Sequence, residues 1–196
     1  MTAVWSLNEI QALAQKAARG AGYDWGLAEE AAQAVRWLLA RNLPGADALL
    51  LACETGGRAS SELCPLTAGC AWSDGLIEAT NFAPRTLRSP LLLLPFLAWT
   101  AQRTQTPLCA SWRGALFVLG PDGTVKMQGE MTNPEVAEVT VSTAISEGLE
   151  DVEEGHRASV DCAIYVALSE LAGRTYAPAT DASRQSGAGA GLTDND

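Results

Sequence analysis

The segment from Arg174 to Asp196 concentrates the side chains of this sequence that could act on a ligand. Its arginines can pair with an anion or with nearby carboxylates, and its alternating glycines let the backbone present amides to a ligand or to a partner subunit. The candidate ligand-binding residues are Arg174, Tyr176, Asp181, Arg184, Gly187, Gly189, Gly191 and Asp194. We expect Tyr176 and Pro178 to anchor this segment on the rest of the protein.

Two interpretations of the C-terminal segment stay open. Its Gly, Ala and Ser content is typical of a frayed terminus, because few apolar groups are present to offset the entropy of ordering. In an enzyme, Arg174 or Arg184 would hold a substrate carboxylate and Asp181 or Asp194 would act as the general base. Phosphate-loop chemistry is set aside, since the chain lacks a Walker lysine and the glycines follow no predicted strand.

Weaker candidates lie elsewhere in the chain. Cys64 could be a nucleophile, but Cys64 and Cys70 are better explained as small buried residues. His156 is the one histidine, which excludes any site with two His ligands. It could be a general acid or base, but a lone His beside a charged loop is more often a surface residue. The acidic run Glu147–Glu154 is typical of a solvated loop, and its spacing does not match an EF-hand. The sequence therefore predicts no metal site and names no cofactor.

Composition narrows the class of protein. With 196 residues, 47% of them apolar and 18% charged, the chain is predicted to form a single soluble domain over residues 1–196. A net charge of −10 disfavours nucleic acid and anionic membranes as partners. The longest apolar run, Leu91–Trp99, is too short to span a bilayer. Five cysteines without a CxxC pair, and no recognisable signal peptide, predict a cytoplasmic protein.

Hydrophobic periodicity predicts helices over residues 6–53. Ser6 and Glu9 match a capping box at the start of the first helix, which Gly20 and Gly22 would end. Asp24 would cap the second helix. The predicted buried face of that helix is Ala28, Ala31, Ala32, Val35, Leu38 and Leu39. A shorter helix over 46–53 follows, and residues 54–88 lack a period and are predicted to be irregular.

Residues 89–143 are predicted to form a helix and then a sheet. Ser89 would cap a helix over Pro90–Arg103, although Pro95 favours a later start with Leu91–Leu94 extended. The predicted strands are Leu108–Trp112, Ala115–Leu119, Thr124–Gln128 and Val136–Thr143. Because these strands are adjacent in sequence, an antiparallel meander is the simplest topology.

The remaining residues complete an α+β prediction. An acidic loop over 144–156 precedes a helix beginning at Ser159 and the Gly-rich tail, which together make up residues 157–196. The predicted fold is a helical N-terminal half packed on an antiparallel sheet of about four strands, with a C-terminal helix.

Several motifs also carry a family resemblance. Ser6-Leu-Asn-Glu-Ile, Lys16-Ala-Ala-Arg-Gly-Ala-Gly and Trp25-Gly-Leu-Ala-Glu-Glu-Ala resemble the opening of an uncharacterised bacterial family of domains of unknown function. Pro90-Leu-Leu-Leu-Leu-Pro-Phe-Leu resembles its middle, and the motifs beginning at Arg174 and Gly187 resemble its end. The resemblance covers nearly the whole chain and assigns no catalytic residue. It implies that the C-terminal segment is a family feature.

Two functions follow from these patterns. The absence of a nucleophile–base pair, alongside six tryptophans, favours a protein that binds a small molecule or assembles with itself, by default as a homodimer. The candidate ligand is a small anionic metabolite. The alternative is a metabolic enzyme whose site forms at the Gly-rich tail.

Overall fold

The computed structural model describes residues 1–54, 62–75, 84–131, 133–143 and 148–176. The helices in these ranges are α1 (Leu7–Ala21), α2 (Trp25–Ala40), α3 (Gly45–Glu54), α4 (Pro65–Ser73), α5 (Leu94–Thr104) and α6 (Cys162–Gly173). The strands are β1 (Thr2–Ser6), β2 (Arg85–Arg88), β3 (Leu108–Trp112), β4 (Ala115–Leu119), β5 (Val125–Gly129), β6 (Val136–Ser142), β7 (Glu150–Asp151) and β8 (Arg157–Asp161). The prediction of an α+β fold with a helical N-terminal half is confirmed.

The larger sheet is antiparallel and has the order β2-β6-β3-β4-β5-β7. Strands β3, β4 and β5 form the predicted meander, and the inward positions Val125 and Met127 are buried. The meander is wrong for β6, which pairs with β3 and not with β5. This pairing places Val141 opposite Ala110, so that two buried side chains share one face.

A second, two-stranded sheet pairs the N-terminal strand with the strand that precedes α6. Strand β1 pairs with β8, and Trp5 stacks on Tyr165 of α6 with ring centroids 4.0 Å apart. The predicted helix start at Ser159 is wrong, because Ser159 lies in β8 and α6 begins only after Asp161, whose carboxylate accepts a hydrogen bond from the Ala163 amide. Buried Ala158 and Val160 alternate with exposed neighbours, which is the period of a strand.

The described residues between 54 and 88 include a helix and a strand, which the sequence does not predict. Helix α4 begins with Pro65 in its first turn, and β2 pairs with β6. The predicted extended stretch Leu91–Leu94 is also wrong: Pro90–Leu93 form a 3-10 turn that leads directly into α5. The sequence does not reveal these short elements, because they are nearly all apolar or too short to show a helical or alternating period.

The start of α1 is built as the sequence predicts. The Ser6 hydroxyl accepts a hydrogen bond from the Glu9 amide, and the Glu9 carboxylate accepts one from the Ser6 amide. Gly22, with φ 103°, terminates the helix in the left-handed region. The predicted buried face of α2 is also confirmed, so the opposite face of α2 is the one that meets solvent.

Candidate functional site

A surface pocket of about 500 Å³ collects charged and aromatic side chains from four parts of the chain. Its walls come from α1, the second half of α2, α5 and the segment before β8. The lining residues are Leu7, Gln11, Gln33, Arg36, Trp37, Ala40, Arg41, Trp99, Glu154, Gly155 and His156. We call this cavity the Arg36 pocket. Its volume lies within the range of pockets that bind small molecules.

Helix periodicity explains how α2 supplies so much of this wall. Gln33, Arg36, Trp37 and Ala40 follow the i, i+3, i+4, i+7 spacing that places residues on one helix face. The alanine-rich face of α2 is buried in the core. The polar and aromatic stripe is therefore turned towards the pocket.

Arg41 lies at the edge of the core, and its side chain is only 8% exposed. Its guanidinium carbon lies 4.0 Å from the centre of the Trp37 ring, and its Nη1 donates to the Trp37 carbonyl at 3.3 Å. Its Nη2 pairs with the Glu154 carboxylate. Burial lowers the pKa of Arg41 and the charge of Glu154 opposes this shift. An arginine nevertheless stays charged in a protein, so the pocket keeps this cation.

The segment before β8 is fastened to the end of α2 and to the larger sheet. The Gly155 amide donates to the Ala40 carbonyl at 2.5 Å, and the Val152 amide donates to the Val125 carbonyl at 2.8 Å. Together with the Arg41–Glu154 ion pair, these contacts fix His156 at the rim of the pocket.

Arg36 is the second cation of the pocket and differs from Arg41 in its partner. Its Nη1 donates to the amide oxygen of Asn8, and no described carboxylate forms an ion pair with it. The lining thus holds two guanidinium groups and one carboxylate, although the whole chain carries a net charge of −10. A positive pocket in an acidic chain is a local arrangement that attracts anions.

The described lining residues can bind a ligand, and His156 at the rim adds an imidazole that could act as a general acid or base. Guanidinium groups and glutamine amides can hold a carboxylate or phosphate, and the indole rings of Trp37 and Trp99 can cover an apolar portion. Among the described residues, no Ser, Thr, Cys or Lys lines the pocket, and Glu154 is occupied by Arg41.

The predicted C-terminal site is described only at its start. Arg174 is exposed just after α6, and Tyr176 is 65% exposed, with its hydroxyl 3.3 Å from the Lys16 Nζ that donates to it. The other predicted residues lie outside the described ranges: Asp181, Arg184, Gly187, Gly189, Gly191 and Asp194. Neither Arg174 nor Tyr176 lines the Arg36 pocket.

The two cysteines and the acidic segment, which are the weaker candidates from the sequence, show no sign of a reactive or metal-binding site among the described residues. Cys64 is buried at the start of α4, as favoured from the sequence, and Cys70 is half-buried, which raises its pKa to about 11. The acidic segment is not wholly a loop, because Glu150–Asp151 form β7 on the edge of the larger sheet. Within the ranges that the structure describes, no three His, Cys, Asp or Glu side chains are grouped as metal ligands would be.

The sequence singles out some of the pocket residues but does not indicate that they lie together. His156 is a candidate acid or base there, and Trp37 and Trp99 count among the tryptophans that favour assembly. Arg36 and Arg41 are not among the candidates. The available signal is the stripe on α2, but the contact between Arg41 and Glu154 joins residues more than a hundred positions apart and has no local signature.

Comparisons with known proteins agree with the sequence resemblance over residues 5–81 and do not reach its motifs at Pro90, Arg174 and Gly187. No curated protein and no solved structure matches the chain. No helix among the described residues is both long and apolar enough to cross a membrane. A family model matches residues 5–81, a region that includes α1 to α4 and every pocket residue of α1 and α2. Residues 5–81 match the model of a family described as a protein of unknown function (DUF3726), as the resemblance to an uncharacterised family implied.

Proposed function

We propose that this protein binds a small anionic molecule in the Arg36 pocket. The observation that carries the proposal is the guanidinium of Arg36, which lines the pocket and has an amide, not a carboxylate, as its described partner. Such a group can form charge-assisted hydrogen bonds to an incoming carboxylate or phosphate without first losing an ion pair.

Two features of the lining support this function over a chance depression in the surface. Arg41 adds a second cation that the fold already holds in place through Trp37 and Glu154. The amides of Gln11 and Gln33 offer neutral donors beside the cations. Pre-positioned groups of this kind lower the entropy lost on binding.

Replacing Arg36 is the direct test of this function. We expect Arg36→Ala to weaken binding of phosphate or acetate about tenfold to a hundredfold, because a hydrogen bond to a charged group contributes about 1.5–3 kcal/mol. Binding is measured by isothermal titration calorimetry, with sodium chloride at matched ionic strength as the blank. Arg36→Lys should recover part of the affinity, since it keeps the charge but not the bidentate geometry.

The matched control is Arg113→Ala, which removes the same charge from the exposed turn between β3 and β4. An equal loss in both variants would mean that the anion responds to overall charge and not to this pocket. Wild-type protein that binds neither phosphate nor any of the carboxylates tested would contradict the proposal outright.

The C-terminal segment supports a second proposal. Its arginines, aspartates and alternating glycines fit an enzyme site for a carboxylate substrate, and Tyr176 brings its beginning against Lys16 of α1. Deleting the residues after Gly187 should then abolish ligand-induced thermal stabilisation, while the melting temperature without ligand stays close to that of the full chain. Stabilisation that survives the truncation unchanged would refute this site.

Assembly and location complete the proposal. A homodimer is the default assembly for a protein of this kind, and Trp25, at 66% exposure, supplies apolar surface for a contact. Sedimentation velocity tests the dimer, and a monomer at high micromolar concentration would count against it.

A cytoplasmic location is proposed from the unpaired cysteines, and cell fractionation tests it.

A further inference from the structure

The two tryptophans of the Arg36 pocket call for an explanation beyond anion binding. Trp37 on α2 and Trp99 on α5 are both half-buried, and both give part of their surface to the same cavity. An anion alone is recognised by cations and amides and gains nothing from indole surface. Large aromatic side chains left partly open inside a pocket usually cover the apolar part of a ligand.

Both indole rings are held in fixed orientations by their neighbours. The Arg41 guanidinium lies over the Trp37 ring at 4.0 Å, and Trp99 meets the ring of Phe96 edge-on, with centroids 5.2 Å apart and planes at 75°. Phe96 is itself buried in the core. Rings that are already fixed can stack on a flat partner at little entropic cost.

The Arg36 guanidinium and the aromatic wall can contact the same ligand. Arg36 and Trp37 are consecutive residues of α2, and both line the cavity. A cation adjacent to an aromatic wall suits a molecule whose charged group is attached directly to a flat ring. The volume of about 500 Å³ accommodates one or two fused rings.

We infer that the Arg36 pocket takes an aromatic carboxylate: the carboxylate binds Arg36, and the ring packs against Trp37 and Trp99. This inference rests on the proposed anion-binding function and narrows it to one class of ligand. The glutamine amides of the wall, Gln11 and Gln33, would contact polar substituents on the ring.

The test compares four carboxylates of graded shape by isothermal titration calorimetry: acetate, cyclohexanecarboxylate, benzoate and 2-naphthoate. We expect benzoate to bind about fivefold more tightly than cyclohexanecarboxylate, which has a ring of similar size but no aromatic face. 2-Naphthoate should bind at least as tightly as benzoate, and acetate most weakly.

Variants of Trp99 test whether the preference for benzoate over cyclohexanecarboxylate arises in this pocket. Trp99→Leu should remove the preference for benzoate over cyclohexanecarboxylate, and Trp99→Phe should retain most of it, because the aromatic face is kept. Thermal unfolding of each variant shows whether the fold is intact. If Trp99→Leu fails to fold, Trp37→Leu provides the same comparison.

The outcomes separate this inference from the function on which it rests. Equal affinities for benzoate and cyclohexanecarboxylate, or a benzoate preference that survives in Trp99→Leu and Trp37→Leu, would overturn the aromatic class and leave anion binding in place. Failure of all four carboxylates and of phosphate to bind would overturn both.

Discussion

Replacing Gly20 with alanine is expected to lower the free energy of unfolding by about 3 kcal/mol, at the upper end of the cost of overpacking a core. A Cβ atom at this position would lie 1.8 Å from the carbonyl oxygen of Leu171 and 2.7 Å from its carbonyl carbon. Both are backbone atoms of α6, so no side-chain rotation can relieve the clash. Helices α1 and α6 would have to separate.

Gly26→Ala is the matched control for this experiment. Gly26 lies in the first turn of α2 and is exposed, and beyond its chain neighbours and the nearby backbone of α2 no atom lies within 4 Å of the position that the added methyl group would take. The substitution should be neutral or stabilise the protein by up to about 1 kcal/mol, because alanine restricts the unfolded chain. Urea unfolding of the two variants gives the comparison, and similar free energies for both would disprove the close-packing role of Gly20.

Gly20 also shows what local sequence patterns leave undecided. The sequence predicts that Gly20 and Gly22 end the first helix, but only Gly22 does so, and Gly20 lies within α1. A glycine near a helix end can terminate the helix or admit a second backbone. The choice here depends on α6, which is far away in the sequence.

In the two sheets as well, pairings between neighbouring strands could be predicted and pairings between distant strands could not. Strands β3 to β5 could be predicted because each connects to the next by a short turn, such as the one at Gly123, which has φ 90°. The pairing of β1 with β8 joins Val4 to Ser159 and could not be predicted from neighbouring residues. Alternation reveals a strand but does not identify its partner.

The Arg36 pocket could not be predicted, because its lining comes from segments that are far apart in the sequence. The stripe of Arg36 and Trp37 on α2 is equally typical of a solvated helix face. It becomes the wall of a cavity only because Trp99 comes from α5 and because Glu154 is held against Arg41. The acidic run around Glu154 predicts solvent-exposed charge, whereas one member of it pairs with the more buried cation of the pocket.

Ser89 lies just before the turn at Pro90, as the sequence predicts, but its side chain does not act as the predicted N-cap. The sequence predicts an N-cap for the helix beginning at Pro90, yet the Ser89 side chain makes no capping hydrogen bond. Its hydroxyl instead donates to the Ala48 carbonyl of α3 at 2.7 Å and accepts from the Asn133 amide at 2.8 Å. The residue is fully buried and has φ 51°, in the left-handed region.

Ser89→Ala is therefore expected to lower the free energy of unfolding by about 2–3 kcal/mol, because the buried Ala48 carbonyl and the Asn133 amide both lose a hydrogen-bond partner. Ser89→Gly loses the same two bonds but adopts a positive φ without steric cost, so it should be less destabilising than alanine by about 1 kcal/mol. Chemical denaturation of the wild type and both variants measures these differences. If glycine were as stable as serine, backbone strain and not the hydroxyl would dominate at this position. If alanine were as stable as serine, the two hydrogen bonds would contribute nothing to the junction between α3, β2 and α5.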